Sequence, residues 1–159
     1  MMIESSLTRQ EFVRYSLKRH FTRLTFYLYA SVCAVIAAFT YFNPQVSRLL
    51  YLAAVLPVLA YSIGGWLAVL RRSRDEHLPV YLPIRYTFSK NGVEVSSRLG
   101  RSVVPWSDIK GWEKLLEVYE LALQNGQVLV IAQRALAARQ LSEFEELLRK
   151  HVPLGPKGR

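Results

Sequence analysis

The stretch from Leu24 to Leu70 constrains this chain more than any other feature, because its only charged residue is Arg48. Leu24 to Ser47 is uncharged over 24 residues and Leu49 to Leu70 over 22. A helix rises about 1.5 Å per residue and a bilayer's hydrocarbon core is roughly 30 Å thick, so about 20 apolar residues cross it. Both segments qualify, which predicts spans at residues 24–43 and 49–70. The connector at Asn43-Pro44-Gln45 leaves room only for a tight turn, so the predicted helices form an antiparallel hairpin. Tyr27, Tyr29, Tyr41, Tyr51 and Trp66 fall towards the span ends, where amphipathic rings favour the headgroup layer. Pro57 predicts a kink in the second helix.

The apolar cores carry no Asp, Glu, Lys, Arg or His, which argues against an ion or proton path through one chain. Small residues recur at every fourth position: Ala30, Ala34 and Ala38, then Ala60, Gly64 and Ala68. Such seams let helix backbones approach closely. The spacing predicts Ala30 near Gly64 and Ala34 near Ala60, and the same seam makes a homodimer a candidate assembly. The single cysteine, Cys33, reads as a packing residue and excludes an intrachain disulfide.

The net charge of +9 invites a nucleic-acid reading, but its distribution points to the membrane. Arg9, Arg14, Lys18, Arg19 and Arg23 precede the first apolar run, and Arg71, Arg72 and Arg74 follow the second. Basic flanks report topology and attraction to anionic headgroups. Eight flanking cations against Arg48 in the turn predict that both termini are cytoplasmic. Lys18, Arg19, Arg23, Arg71, Arg72 and Arg74 are therefore the candidate lipid-headgroup or topogenic residues, and no nucleic-acid partner is expected. A long polar N-terminal segment and an over-long apolar run fit a secretory signal peptide poorly.

Thr8-Arg9-Gln10-Glu11 reads as a capping box, with Leu7 and Phe12 placed as a hydrophobic staple. This predicts a juxtamembrane helix within residues 1–23 that starts near Arg9 and continues into the first span. Residues 71–83 read as a linker kept extended by Pro79 and Pro83. After it the pattern changes to period two: Ile84, Tyr86 and Phe88 alternate with polar residues up to a turn at Lys90-Asn91-Gly92. Val93 and Val95 return. Ser102–Trp106 and Trp112–Leu116 are predicted as two further strands, and 118–123 with 127–132 as a hairpin around Asn125-Gly126. Ser142-Glu143-Phe144-Glu145 reads as a second capping box opening a final helix, with Phe144, Leu147, Leu148, His151 and Val152 on one stripe. The predicted class is a membrane helical hairpin followed by an α+β domain at 84–153, an antiparallel meander closed by one helix, with a flexible basic tail at 154–159.

Tyr86-Thr87-Phe88, Gly92-Val93-Glu94-Val95, Pro105-Trp106-Ser107-Asp108-Ile109 and Leu141-Ser142-Glu143-Phe144, in that order, resemble the YcxB-like family of bacterial membrane proteins. The resemblance implies a two-span hairpin in the bacterial inner membrane with a small cytoplasmic β-domain of pleckstrin-homology type. It implies no enzymatic activity. The family motif residues carried over are Pro105, Trp106, Ser107, Asp108 and Arg134. The family's Pro-Lys-Arg-Ala-Phe-like stretch reads Ala132-Gln133-Arg134-Ala135-Leu136 here, so Arg134 is its remaining basic member. Trp106 is expected to pack on the core, and Asp108 to cap a turn or pair with Arg134.

His20, His77 and His151 are scattered, and no P-loop, GxSxG, HExxH or paired-cysteine motif occurs. The expectation is a non-enzyme without catalytic residues, metal or cofactor. Two roles fit: a membrane-tethered module that binds a protein or an anionic lipid, and an immunity protein that neutralises a toxin at the inner membrane.

Overall fold

Leu24–Phe42 and Leu49–Arg72 are both helical, and with mean hydropathies of 1.6 and 1.9 both are long and apolar enough to cross a membrane. Only 6% of the most apolar window of each is buried, whereas the core helix of a soluble protein is mostly buried. The computed structural model describes residues 1–43, 45, 47, 49–98 and 100–153. The predicted tail at 154–159, and Pro44 and Arg48 of the predicted turn, lie outside the described residues. The described residues divide into two units, one of residues 1–15 with 75–153 and the other of Ser16–Arg74.

In the second, the hairpin unit, α2 (Leu24–Phe42) packs on α3 (Leu49–Arg72). Their contact faces run through Phe26, Ala30, Cys33, Ala37 and Thr40 on α2, and Ala54, Val58, Tyr61, Gly65 and Val69 on α3, which are buried or half-buried. This corrects the predicted seam. Ala30 belongs to it, but Ala34, Ala60 and Gly64 are exposed, and a Cβ at Gly64 would meet nothing within 4 Å. The face chosen holds Tyr61, whose ring meets those of His20, Phe26 and Tyr29. The hydroxyls of Ser31 and Thr40 donate to the carbonyls of Tyr27 and Ile36, so these apolar helices present no unsatisfied hydroxyl there. α3 continues through Pro57.

The helix α1 (Arg9–Phe21) does not run into α2. The Thr22 hydroxyl bonds the carbonyls of Lys18 and Arg19 at the end of α1, and Arg23 is extended. These local bonds end the helix just before the apolar run begins. The capping box at its start is formed as expected: Thr8 N–H donates to Glu11 Oε2 at 2.7 Å, and Glu11 N–H to Thr8 Oγ1 at 3.2 Å.

Among the described residues the β-unit holds seven strands and a closing helix. A four-stranded antiparallel sheet has the order β1 (Met2–Ser5), β2 (Ile84–Phe88), β3 (Gly92–Ser97), β4 (Gly100–Pro105). A three-stranded sheet contains β5 (Ile109–Leu115), β6 (Val118–Leu123) and β7 (Val128–Ala132), and α4 (Ala138–His151) follows. Between the sheets and α4 lies the larger core, with Phe88, Val93, Trp112, Tyr119, Leu121, Ile131, Phe144, Leu148 and Val152. β6 is buried along its whole length. Tyr119, Leu121 and Leu123 face this core, while Val118 on the alternate face joins Leu7, Phe12, Tyr15 and Ala132 in a second cluster. A bulge between Ile109 and Gly111 lets Ile109 and Trp112 share the larger core despite their odd spacing.

Three sequence expectations need correction here. Residues 1–23 are not a juxtamembrane helix throughout: Met2–Ser5 pair with β2, Ile3 opposite Tyr86, and residues up to Tyr15 belong to the β-unit. Four residues of alternating exposure are too short a signal for periodicity to register. The segment 71–83 is not an extended linker either. Arg71 and Arg72 end α3, Pro79–Tyr81 is a 3-10 turn, and Leu78, Val80 and Tyr81 pack on the second cluster, with Leu7 N–H bonded to Val80 O at 2.8 Å. Last, α4 begins at Ala138, not at Ser142, because Ala138 to Leu141 are good helix formers and Gln140 Oε1 already accepts the Ala137 N–H.

Candidate binding surfaces

The Pro-Trp-Ser-Asp-Ile motif sits where the two sheets meet. Pro105 ends β4 opposite Gly92, and a Cβ at Gly92 would strike Val104 O and Pro105 Cα, so the strand crossing there needs glycine. Trp106 opens a 3-10 turn. Its Nε1–H donates to Ser89 O at 3.1 Å, and its ring stacks on Phe88 and on His151, with centroids 6.2 and 4.7 Å away. Trp106 is half-buried; the deeply buried indole is Trp112, whose Nε1 has no hydrogen-bond partner among the described residues. The carbonyls of Ser107 and Asp108 accept the side-chain and backbone N–H of Gln124 at 2.7 and 2.9 Å. The motif therefore fastens the β2–β3 turn, the end of β6 and α4 to one another.

Arg134 does not pair with Asp108. Its Nε–H donates to Glu11 Oε1 at 2.7 Å and a terminal N–H to Ser6 O at 2.8 Å, which ties the turn after β7 to the N-terminal segment. Glu11 lies nearer because α1 packs against this sheet, an arrangement the missed strand β1 conceals from sequence. Partial burial works to raise the Glu11 carboxyl, but hydrogen bonds from Arg134 and Thr8 outweigh it and hold the group below its usual range. Asp108 is exposed, and among the described residues its carboxylate accepts from the Ser107 hydroxyl at 3.3 Å.

Two polar contacts, one buried and one partly buried, carry no clear signal in the sequence. The Tyr15 hydroxyl donates to Glu120 Oε2 at 2.6 Å, joining α1 to the middle of β6. Tyr119 donates to Glu145 Oε1 at 2.6 Å, with Lys114 and Arg149 at 4.0 and 3.6 Å from the same carboxylate. Burial first, then the Glu145 carboxylate, pushes the Tyr119 phenol well above its ordinary range. The only hint in sequence was a glutamate in an otherwise apolar strand. Beside Tyr15, a small pocket of about 130 Å³ is lined by Glu11, Arg14, Leu116, Glu117 and Val118. Leu116 stands at its rim with φ +58° and is 51% exposed.

The candidate headgroup residues all fall in the hairpin unit. Lys18 and Arg19 lie in the last turn of α1, Arg23 precedes α2, Arg71 and Arg72 end α3, and Arg74 follows. Arg19 is half-buried and the other five are exposed. His20 stacks on Tyr61 with ring centroids 4.4 Å apart and lies against Gly65.

Residues 88–148, from the end of β2 to the last turns of α4, match the family model of YcxB-like proteins. That stretch is YcxB-like. A search of curated proteins finds no match. The YcxB-like stretch contains Phe88, Gly92 to Val95, Pro105 to Ile109 and Leu141 to Phe144, which carried the resemblance in sequence, together with Arg134, while Tyr86, Thr87, His151 and Val152 lie outside it. It contains neither β1 nor the hairpin.

Proposed function

We propose that this chain is a non-enzymatic binding module tethered to the bacterial inner membrane, with both flanks cytoplasmic and its β-unit holding a protein or an anionic lipid at the membrane surface. The observation that carries the reading is that β1 and the first half of α1 precede the hairpin, yet build one unit with the elements that follow it. A chain that crosses a bilayer at α2 and returns at α3 keeps both flanks on one side, as such a unit requires. The excess of flanking cations over Arg48 supports the cytoplasmic side. The sheet pair with a closing helix supports the pleckstrin-homology-like reading of the fold. The polar groups brought together at Tyr15–Glu120, Tyr119–Glu145 and Arg134–Glu11 fasten elements to one another, which supports binding over chemistry. β4 is an edge strand with Val103 65% exposed, an edge of the kind that takes up a partner's strand.

Fusion of alkaline phosphatase or a fluorescent protein after Arg159 tests the sidedness. The reading expects an inactive phosphatase and a bright fluorophore; strong phosphatase activity contradicts it. Affinity purification from gently solubilised membranes tests the binding role. The expected result is a stoichiometric partner lost on Val103→Asp, and a chain that purifies alone counts against the module.

A further inference from the structure

We propose that Lys18 and Arg23 at the start of the hairpin, together with Arg71, Arg72 and Arg74 at its end, form one site for the phosphates of anionic phospholipid, the counter-ion that the hairpin unit lacks. This rests on the reading that α2 and α3 cross a membrane. In the β-unit four arginines find carboxylates of the same unit: Arg85 with Glu4, Arg134 with Glu11, Arg149 with Glu145, and Arg101 with Glu94. The hairpin unit has no such resource: no Asp or Glu occurs from Ser16 to Arg74, and Asp75 and Glu76, which follow directly, form no ion pair with Arg71, Arg72 or Arg74 among the described residues. Packing brings the segments that carry these five cations to one end of the hairpin, opposite the turn that holds Arg48. The rings of Phe26 and Tyr29 lie 6.2 and 5.3 Å from Tyr61, so the first turns of α2 run beside the second half of α3. The His20–Tyr61 stack brings the last turn of α1 to the same part of α3. Five exposed cations without a carboxylate in their unit repel one another unless an outside anion neutralises them. Phosphodiesters of anionic lipids lie at the depth where the apolar windows end. Free inorganic phosphate offers the same oxygens, but no acyl chains to hold it there.

The test uses the full chain in nanodiscs of phosphatidylcholine, with or without phosphatidylglycerol. It reads the thermal midpoint, and the lipid retained in native mass spectrometry after transfer to detergent. Phosphatidylglycerol is expected to raise the midpoint by several degrees and to stay bound. K18Q/R23Q and R71Q/R72Q/R74Q should each lose most of both effects, while R85Q/R101Q in the β-unit keeps them. Should a multiple variant fail to fold, Arg72→Gln alone should show a smaller loss in both readouts. Equal retention in all variants, or no shift with phosphatidylglycerol, overturns the site and assigns the cations to topology alone. A shift produced equally by inorganic phosphate in phosphatidylcholine discs overturns the lipid as ligand. Failure of the wild-type chain to enter discs refutes the membrane reading itself, a result distinct from all of these.

Discussion

Tyr119, Leu121, Phe144 and Leu148 in the β-unit are wholly buried, whereas Leu52, Leu56, Ile63 and Leu67 in the hairpin unit are exposed. The charges differ as well: salt bridges stud the β-unit, while the hairpin unit from Ser16 to Arg74 has cations and no carboxylate. The proposed membrane setting of the hairpin would account for the difference through two solvents. The β-unit makes its own apolar interior and neutralises its own charges, as a chain in water does. The hairpin unit leaves both tasks to its surroundings, which suits a lipid medium with anionic headgroups.

The largest expected effect separates the two units directly. Phe144 is wholly buried and meets Phe88 and Tyr119 edge-on, each with centroids 5.2 Å away. Phe144→Ala is predicted to cost about 3–5 kcal/mol of β-unit stability. Leu56→Ala, on an exposed face, should cost less than about 1 kcal/mol in detergent, since detergent and lipid are as apolar as leucine. Chemical denaturation of both variants makes the comparison, and equal losses would break it.

A smaller effect sharpens the β-unit side. Burial pushes the Tyr86 phenol up to about 12. Between its ordinary pKa of about 10 and that value, the folded state holds a proton that the unfolded state has lost. This contribution is therefore fully present below pH ~10 and lost as pH rises towards ~12, an order of 2–3 kcal/mol. Tyr86→Phe should flatten that alkaline slope in urea titrations run across the range, leaving the part due to Tyr119. An unchanged slope would mean that water reaches the phenol.

The smallest expected effect lies in the hairpin. A Cβ at Gly65 would collide with the His20 ring, and one at Gly64 would meet nothing. Gly65→Ala should displace His20 from Tyr61 and cost about 1 kcal/mol, the scale of one ring stack. His20→Ala should absorb most of that penalty in a double-mutant cycle. Gly64→Ala should be neutral or slightly stabilising, and a reversed order would restore the Ala60-Gly64-Ala68 seam.

Legibility in sequence followed the same division. The two long helices showed plainly, because uncharged runs of that length have few other readings. The packing face did not, since small residues recur on more than one stripe and periodicity alone cannot rank them. In the β-unit, the β2–β3 pair, the β6–β7 hairpin and the stripe through Phe144, Leu148 and Val152 followed from alternation and helical spacing. β1 was hidden by its shortness, four residues from Met2 to Ser5, and by its distance along the chain from β2. Once β1 was missed, the Glu11–Arg134 and Tyr15–Glu120 contacts were out of reach, because both depend on the N-terminal segment lying on the sheets. Trp106 was singled out by its motif, but its fastening role needed the position of His151 and Ser89 in space.

Splicing out the hairpin tests most directly whether the chain before it and the chain after it make one folding unit. The spliced chain joins residues 1–15 to residues 75–153 through a flexible Gly-Ser linker of about 12 residues, which reaches roughly 20 Å. Its counterpart is the fragment 75–153 alone. Urea unfolding followed by the fluorescence of Trp106 and Trp112 reads both. The spliced chain is predicted to unfold cooperatively. The shorter fragment, without β1 and with the second apolar cluster uncovered, should show a broad transition or a midpoint far lower. A fragment 75–153 that unfolds as sharply and at the same urea concentration as the spliced chain would contradict the account.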